Sequence, residues 1–152
     1  MPPVPTQRKR RYAVDLVDLH SLCETNYVRL LRVFPDYEAS NERGFIAGDA
    51  KVRIDVTERS RYTTTFRLLK LGPLAAPFGA VTVDLRAYHD ARMAEVIGFQ
   101  RHRLVRGRYQ YPNDYMYSRD EQAQQNRFVA EMLSFCLAEG RTAEVALPEG
   151  LE

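Results

Sequence analysis

The chain has 152 residues, of which 45% are hydrophobic, 28% charged and 11% aromatic, and its formal net charge is +2. That length suits one domain with a self-sufficient core, and the composition excludes disorder, a fibrous repeat and a disulfide miniprotein. The charge is uneven: Arg8, Lys9, Arg10 and Arg11 form an acid-free opening, Arg101, Arg103, Arg106 and Arg108 form a second basic stretch, and the remainder is net acidic.

Residues 1–11, proline-rich and then basic, read as a flexible tail ahead of a single domain over 12–140. The tail is either a solvated terminus or a weak anchor for nucleic acid or an anionic membrane surface. Helical spacing begins at Asp15, placed to cap an N-terminus. Leu16, Leu19, Leu22, Cys23, Tyr27, Leu30, Leu31 and Phe34 follow as one apolar stripe. His20 lies beside the stripe and reads as structural, and Pro35 ends the helix because the residue before a proline is pushed out of helical angles. Asp36 to Gly44 reads as a polar connection.

Strand periodicity then takes over. A short strand at Phe45–Ala47 turns at Gly48-Asp49 into Val52, Ile54 and Val56, which alternate with polar residues. Tyr62–Leu71 is a third strand, Gly72–Gly79 a glycine- and proline-rich loop, and Val81–Tyr88 a fourth strand. The stretch from Ala91 through Phe99 fits a strand or a short capped helix, and its unbroken run into Arg101–Tyr111 favours the strand. Ser118 and Glu121 have capping-box spacing ahead of the stripe Phe128, Val129, Met132, Leu133 and Cys136, with Gly140 where a left-handed C-cap belongs. Residues 141–152 read as a loosely attached tail. The expected fold is α+β, an antiparallel sheet of about five strands with an N-terminal and a C-terminal helix on one face.

Two cysteines, Cys23 and Cys136, far apart in the chain and each on an apolar helix face, point to buried thiols in a reducing compartment and not to zinc. No signal-peptide core or run long enough for a membrane helix is visible, so a cytoplasmic location without membrane attachment is expected. No P-loop, dinucleotide fingerprint, nucleophile elbow or zinc-protease motif occurs, and no cofactor or metal is expected.

The candidate site rests on arginine and tyrosine. Arg61 and Tyr62, the cluster Arg86, Tyr88, His89, Asp90, Arg92 and Glu95, and the segment Arg108, Tyr109, Tyr111 and Asn113 combine guanidinium, phenol and small polar groups. Such a mixture suits an anionic, nucleotide-like ligand or a protein partner: arginine for phosphate, tyrosine for stacking. The competing explanation is strand composition, since tyrosine and threonine are good strand residues. The leading expectation is therefore a non-enzymatic binding or accessory module. One alternative is a small hydrolase using His89, Asp90 and Glu95, which needs a turn or bulge to bring neighbouring strand residues together. Another is a weak nucleic-acid binder using the basic tail and the Arg101–Arg108 stretch. A sheet face or edge could also serve a homodimer.

The same residues carry a resemblance. Leu22-Cys23-Glu24 with Asn26, Arg61-Tyr62-Thr63-Thr64, Tyr88-His89-Asp90-Ala91, Ala94-Glu95-Val96, Arg108-Tyr109, Tyr111-Pro112-Asn113, Arg119-Asp120-Glu121 and the stretch from Asn126 to Gly140 resemble the YqiB-like family of gammaproteobacteria over roughly residues 11–140. The resemblance implies a cytoplasmic domain of unknown function. Its members tend to be encoded beside nucleotide-processing enzymes, an association that favours a nucleotide-related role without supplying a mechanism.

Overall fold

The first apolar stripe lies on helix α1 (Pro5–Val33) in the computed structural model, which describes residues 5–75, 78–110 and 119–151. The helix begins ahead of the expected start, so it takes in residues 5–11 of the segment read as a tail, and Asp15 lies within it and not at its cap. It stops one residue short of Phe34-Pro35, as the proline requires. Helix α2 (Arg119–Glu139) starts where the capping spacing placed it, although Ser118 itself lies outside the described residues. Gly140 follows α2 without a positive φ, and its N–H still donates to the Cys136 carbonyl at 3.0 Å. The expected left-handed cap is therefore absent, because the chain passes straight from the last helical turn into a strand.

Among the described residues seven strands form one antiparallel sheet, two more than expected. They are β1 (Glu42–Ala47), β2 (Ala50–Arg59), β3 (Thr63–Ala75), β4 (Phe78–Tyr88), β5 (Met93–Val105), β6 (Arg108–Gln110) and β7 (Arg141–Thr142). Their order is β6-β5-β4-β3-β2-β1-β7, a meander closed at one edge by the C-terminal strand. The two extra strands are the short edge pieces β6 and β7, too brief to show alternation. Short edges also discourage edge-to-edge association. Turn chemistry fixes the hairpins. Gly48 (φ 59) opens the β1–β2 turn, and Arg106 (φ 51) with Gly107 (φ 81) makes the doubly left-handed β5–β6 turn. The glycine- and proline-rich stretch expected as a loop is mostly strand: β3 runs to Ala75, with a register shift after Leu71, and β4 begins at Phe78.

Both helices cover one face of the sheet. Leu30 of α1, Phe34 just beyond its end, and Val129 and Leu133 of α2 are fully buried against Ile54, Phe66, Leu68 and Leu85. Burial of each such side chain contributes about 1.5–3 kcal/mol by transfer out of water. Two asparagines lock the layers. Asn126 accepts from the Val96 N–H at 3.1 Å, where β5 bulges and β6 has not yet joined it, and its own carbonyl accepts from the Asn26 amide at 3.1 Å. No described helix is long and apolar enough to cross a membrane.

Residues 141–151 are not a loose tail. β7 pairs with β1, and Val145 is buried. His20 is solvent-exposed and pairs with Glu24 one turn on at 2.8 Å, so it does not support the core.

Candidate functional site

Alternation along β4 sorts the candidate residues by face. Val83, Leu85 and Ala87 point into the helix-covered core, so Asp84, Arg86 and Tyr88 occupy the opposite, open face. Register places Thr65 of β3 and Glu95 of β5 directly beside Arg86. Arg86 Nε donates to Thr65 Oγ1 at 3.3 Å, and the Tyr88 hydroxyl donates to Glu95 Oε1 at 2.8 Å. Burial, then the hydrogen bond to Glu95, raises the Tyr88 phenol above its usual value, while Arg86 opposes the shift.

His89 begins the β4–β5 turn and points the other way, to the helix side. Its Nδ1 meets the Tyr27 hydroxyl at 3.0 Å and its Nε2 meets the Thr64 hydroxyl at 2.8 Å. Tyr37 stacks on the imidazole with centroids 5.6 Å apart, and the His89 N–H donates to the Tyr62 carbonyl at 2.9 Å. The last bond ties the β2–β3 turn, with Arg61 and Tyr62, to the β4–β5 turn, with Asp90 and Arg92. Tyr27, Tyr37 and Thr64 were not singled out by sequence as site residues, because a tyrosine in an apolar helix stripe and a threonine in a strand carry no distinguishing signal.

One end of the sheet therefore gathers Arg61, Tyr62, Arg86, Tyr88, His89, Asp90, Arg92 and Glu95. It does so on two faces and a rim. The hydrolase arrangement is not formed: both ring nitrogens of His89 are engaged on the helix side, while Glu95 is held by Tyr88 on the open side. Arg108 and Tyr109 lie near the far end of β5, roughly 30 Å away along the strand. Tyr111 and Asn113 lie outside the described residues.

The arginines differ in what they touch. On the open face Arg53 is held by Asp55 at 3.0 Å and Arg67 by Asp84 at 2.9 Å, and Arg108 faces Glu149 at 3.6 Å. Among the described residues Arg61, Arg86 and Arg92 have no carboxylate partner. Arg61 lies over the Tyr62 ring at 5.2 Å and Arg92 over the Tyr27 ring at 5.9 Å. Arg92 also has φ 55, a left-handed conformation that costs a side-chain-bearing residue about 1–2 kcal/mol. Asp90 is exposed on the same turn and Tyr62 is 51% exposed.

The cysteines are inert. Burial, assisted by Glu95, pushes the Cys23 thiol up to about 11, and burial pushes Cys136 up to about 11 against the opposing effect of Lys70. Among the described residues no group of three His, Cys, Asp or Glu could hold a metal ion. His102, on the open face, is buried, and its pKa is lowered, first by burial and then by Arg67. At acid pH the unfolded chain therefore takes up a proton there that the folded chain resists, so stability falls as pH drops below the ordinary value of 6.5. Thermal unfolding followed from neutral to acid pH should show this loss, with a flatter profile in His102→Gln.

The family described as "Protein of unknown function (DUF1249)" matches residues 29–142. The chain is 35% identical over 135 residues to "Uncharacterized protein YqiB" of Escherichia coli strain K12, covering 88% of this chain and 96% of that one. The proteins of the same name from the O6:H1 and O157:H7 strains of Escherichia coli match to the same extent. No solved structure matches the chain.

Proposed function

The chain belongs to the DUF1249 family, and from the geometry of its own turn end we propose that it is a non-catalytic binding module for an anionic, nucleotide-like ligand. The observation that carries this reading is the set of guanidinium groups at one end of the sheet, Arg61, Arg86 and Arg92, that no described carboxylate neutralises. Arg61 and Arg92 would meet phosphate oxygens from two tethered turns, and the exposed Tyr62 offers a face for a planar base. His89, held by Tyr27, Thr64 and Tyr37, fixes one turn against the helix layer, so the cations are presented by a rigid base. Placing arginine at a positive φ, where glycine would be unstrained, supports a role for the cation itself.

The test is a thermal-shift and calorimetric screen of nucleoside mono- and diphosphates. Each charge-assisted contact contributes about 1.5–3 kcal/mol, so Arg61→Ala and Arg92→Gly should each weaken binding by about 10- to 100-fold. Arg92→Gly should raise Tm in the absence of ligand, because glycine relieves the left-handed strain. Arg108→Ala should bind as the unaltered chain does. Absence of stabilisation by any such anion, or equal binding by the Arg61 and Arg92 variants, contradicts the reading.

A further inference from the structure

The open face of the sheet is crossed by the chain's own C-terminal segment. Residues 143–149 leave β7 at one edge and end on β6 at the other. The Ala143 N–H donates to the Gly44 carbonyl at 2.9 Å, Arg53 Nη1 donates to the Val145 carbonyl at 2.8 Å, and the Tyr109 N–H donates to the Glu149 carbonyl at 3.2 Å. Register sets the row beneath: Gly44, Arg53, Leu69, Thr82 and Gln100 lie side by side across β1 to β5, all on the face opposite the helices. Leu69 and Thr82 are 2% and 7% exposed although no helix covers them. Among the described residues the strap is the segment that crosses this face.

Three features give the row the character of a peptide groove. Arg53 grips a main-chain carbonyl, a contact any extended peptide can make. Gly44 has no side chain where the strap passes: a Cβ there would collide with the Ala143 carbonyl and stand 2.9 Å from Val145 Cγ2. At the far edge the Arg108 guanidinium faces the Glu149 carboxylate at 3.6 Å. Residues 143–148 form no strand ladder with the face, so releasing the strap would leave the ladder of the sheet intact. The family match ends at residue 142, so the groove belongs to the matched domain and the strap lies beyond it.

We infer that this transverse row is a docking groove for an extended acidic segment of a partner protein, and that residues 143–151 keep it filled in cis. The segment the groove takes has the chemistry of the strap: an apolar residue over Gly44, with a carboxylate four residues later for Arg108. The groove is separate from the Arg61–Arg92 end and its test does not depend on those residues.

The experiment uses the full chain with the strap loosened by V145K/E149K, which places ammonium groups opposite Arg53 and Arg108 and leaves the groove unaltered. The probe is a labelled synthetic peptide with the sequence of residues 143–151, followed by fluorescence anisotropy. The loosened chain should bind it saturably and at least tenfold more tightly than the unaltered chain, whose groove is occupied. Adding Gly44→Val should reduce that binding at least tenfold. Hydrogen exchange at the Tyr109 amide should be faster in V145K/E149K. Equal affinity of both chains, equal binding of a scrambled peptide, or a Tyr109 amide still protected despite the lysines would each overturn the inference.

Discussion

Replacing Asn126 by alanine should destabilise the fold by about 2–3 kcal/mol, the cost of leaving a buried donor and a buried helix contact without partners. Asn126 is fully buried and joins three elements. Its Oδ1 takes the Val96 N–H of β5 and lies 3.8 Å from the Cys23 thiol of α1, and its carbonyl takes the Asn26 amide. The Val96 N–H cannot turn to water when the side chain is removed, because Val96 is 4% exposed. Asn26→Ala should cost less, about 1 kcal/mol, since it deletes one hydrogen bond together with an Oδ1 that is buried without a hydrogen-bond partner among the described residues. Urea unfolding monitored by circular dichroism measures both. A loss below about 0.5 kcal/mol for Asn126→Ala, the range of an ordinary surface change, would show that α2 is not pinned to β5 through this residue.

The second large effect is expected at His89. Alanine there removes the contacts to Tyr27 and Thr64 and the stack on Tyr37, and leaves the Thr64 hydroxyl, only 3% exposed, without its partner. The expected loss is about 2–3 kcal/mol. Under the conditions in which the variant remains folded, anion affinity should fall only as far as the loosened turn allows, by about threefold to tenfold, or roughly 0.6–1.4 kcal/mol. A histidine kept for proton transfer would behave in the opposite way, since strained or idle catalytic groups commonly gain stability on removal. Stability unchanged in His89→Ala, with binding or turnover abolished, would return the residue to the hydrolase interpretation.

The fold was legible wherever periodicity ran long enough. The stripe from Leu16 to Phe34, the alternation in β2 and β4, and the capping spacing before α2 all pointed to elements that the structure contains. The run from Ala91 through Phe99 into Arg101–Tyr111 decided strand over helix, and β5 bears the strand out, but the run is not unbroken: the left-handed pair Arg106-Gly107 turns it back into β6. What escaped is what tertiary contact decides. β7 has two residues and exists because β1 has a free edge. The Gly72–Gly79 stretch carries loop composition, yet Gly72 (φ 56) absorbs a register shift and lets the strand continue. The site was half legible. Chain proximity places residues 86–95 together at one end of the sheet, but it does not show that His89 and Glu95 face opposite ways, nor that Arg108 and Tyr109 sit at the other end of β5. Helix position likewise gave no hint that Tyr27 would meet His89 across 62 residues of sequence.

Arginine side-chain NMR during a titration with a nucleoside diphosphate bears most immediately on whether the turn end receives an anion. The Nε–Hε resonances of Arg61 and Arg92 should shift together and saturate with one affinity, while those of Arg53 and Arg67, already held by Asp55 and Asp84, stay in place. Shifts confined to Arg108 and its neighbours, or no saturating shift at Arg61 and Arg92, would contradict the assignment.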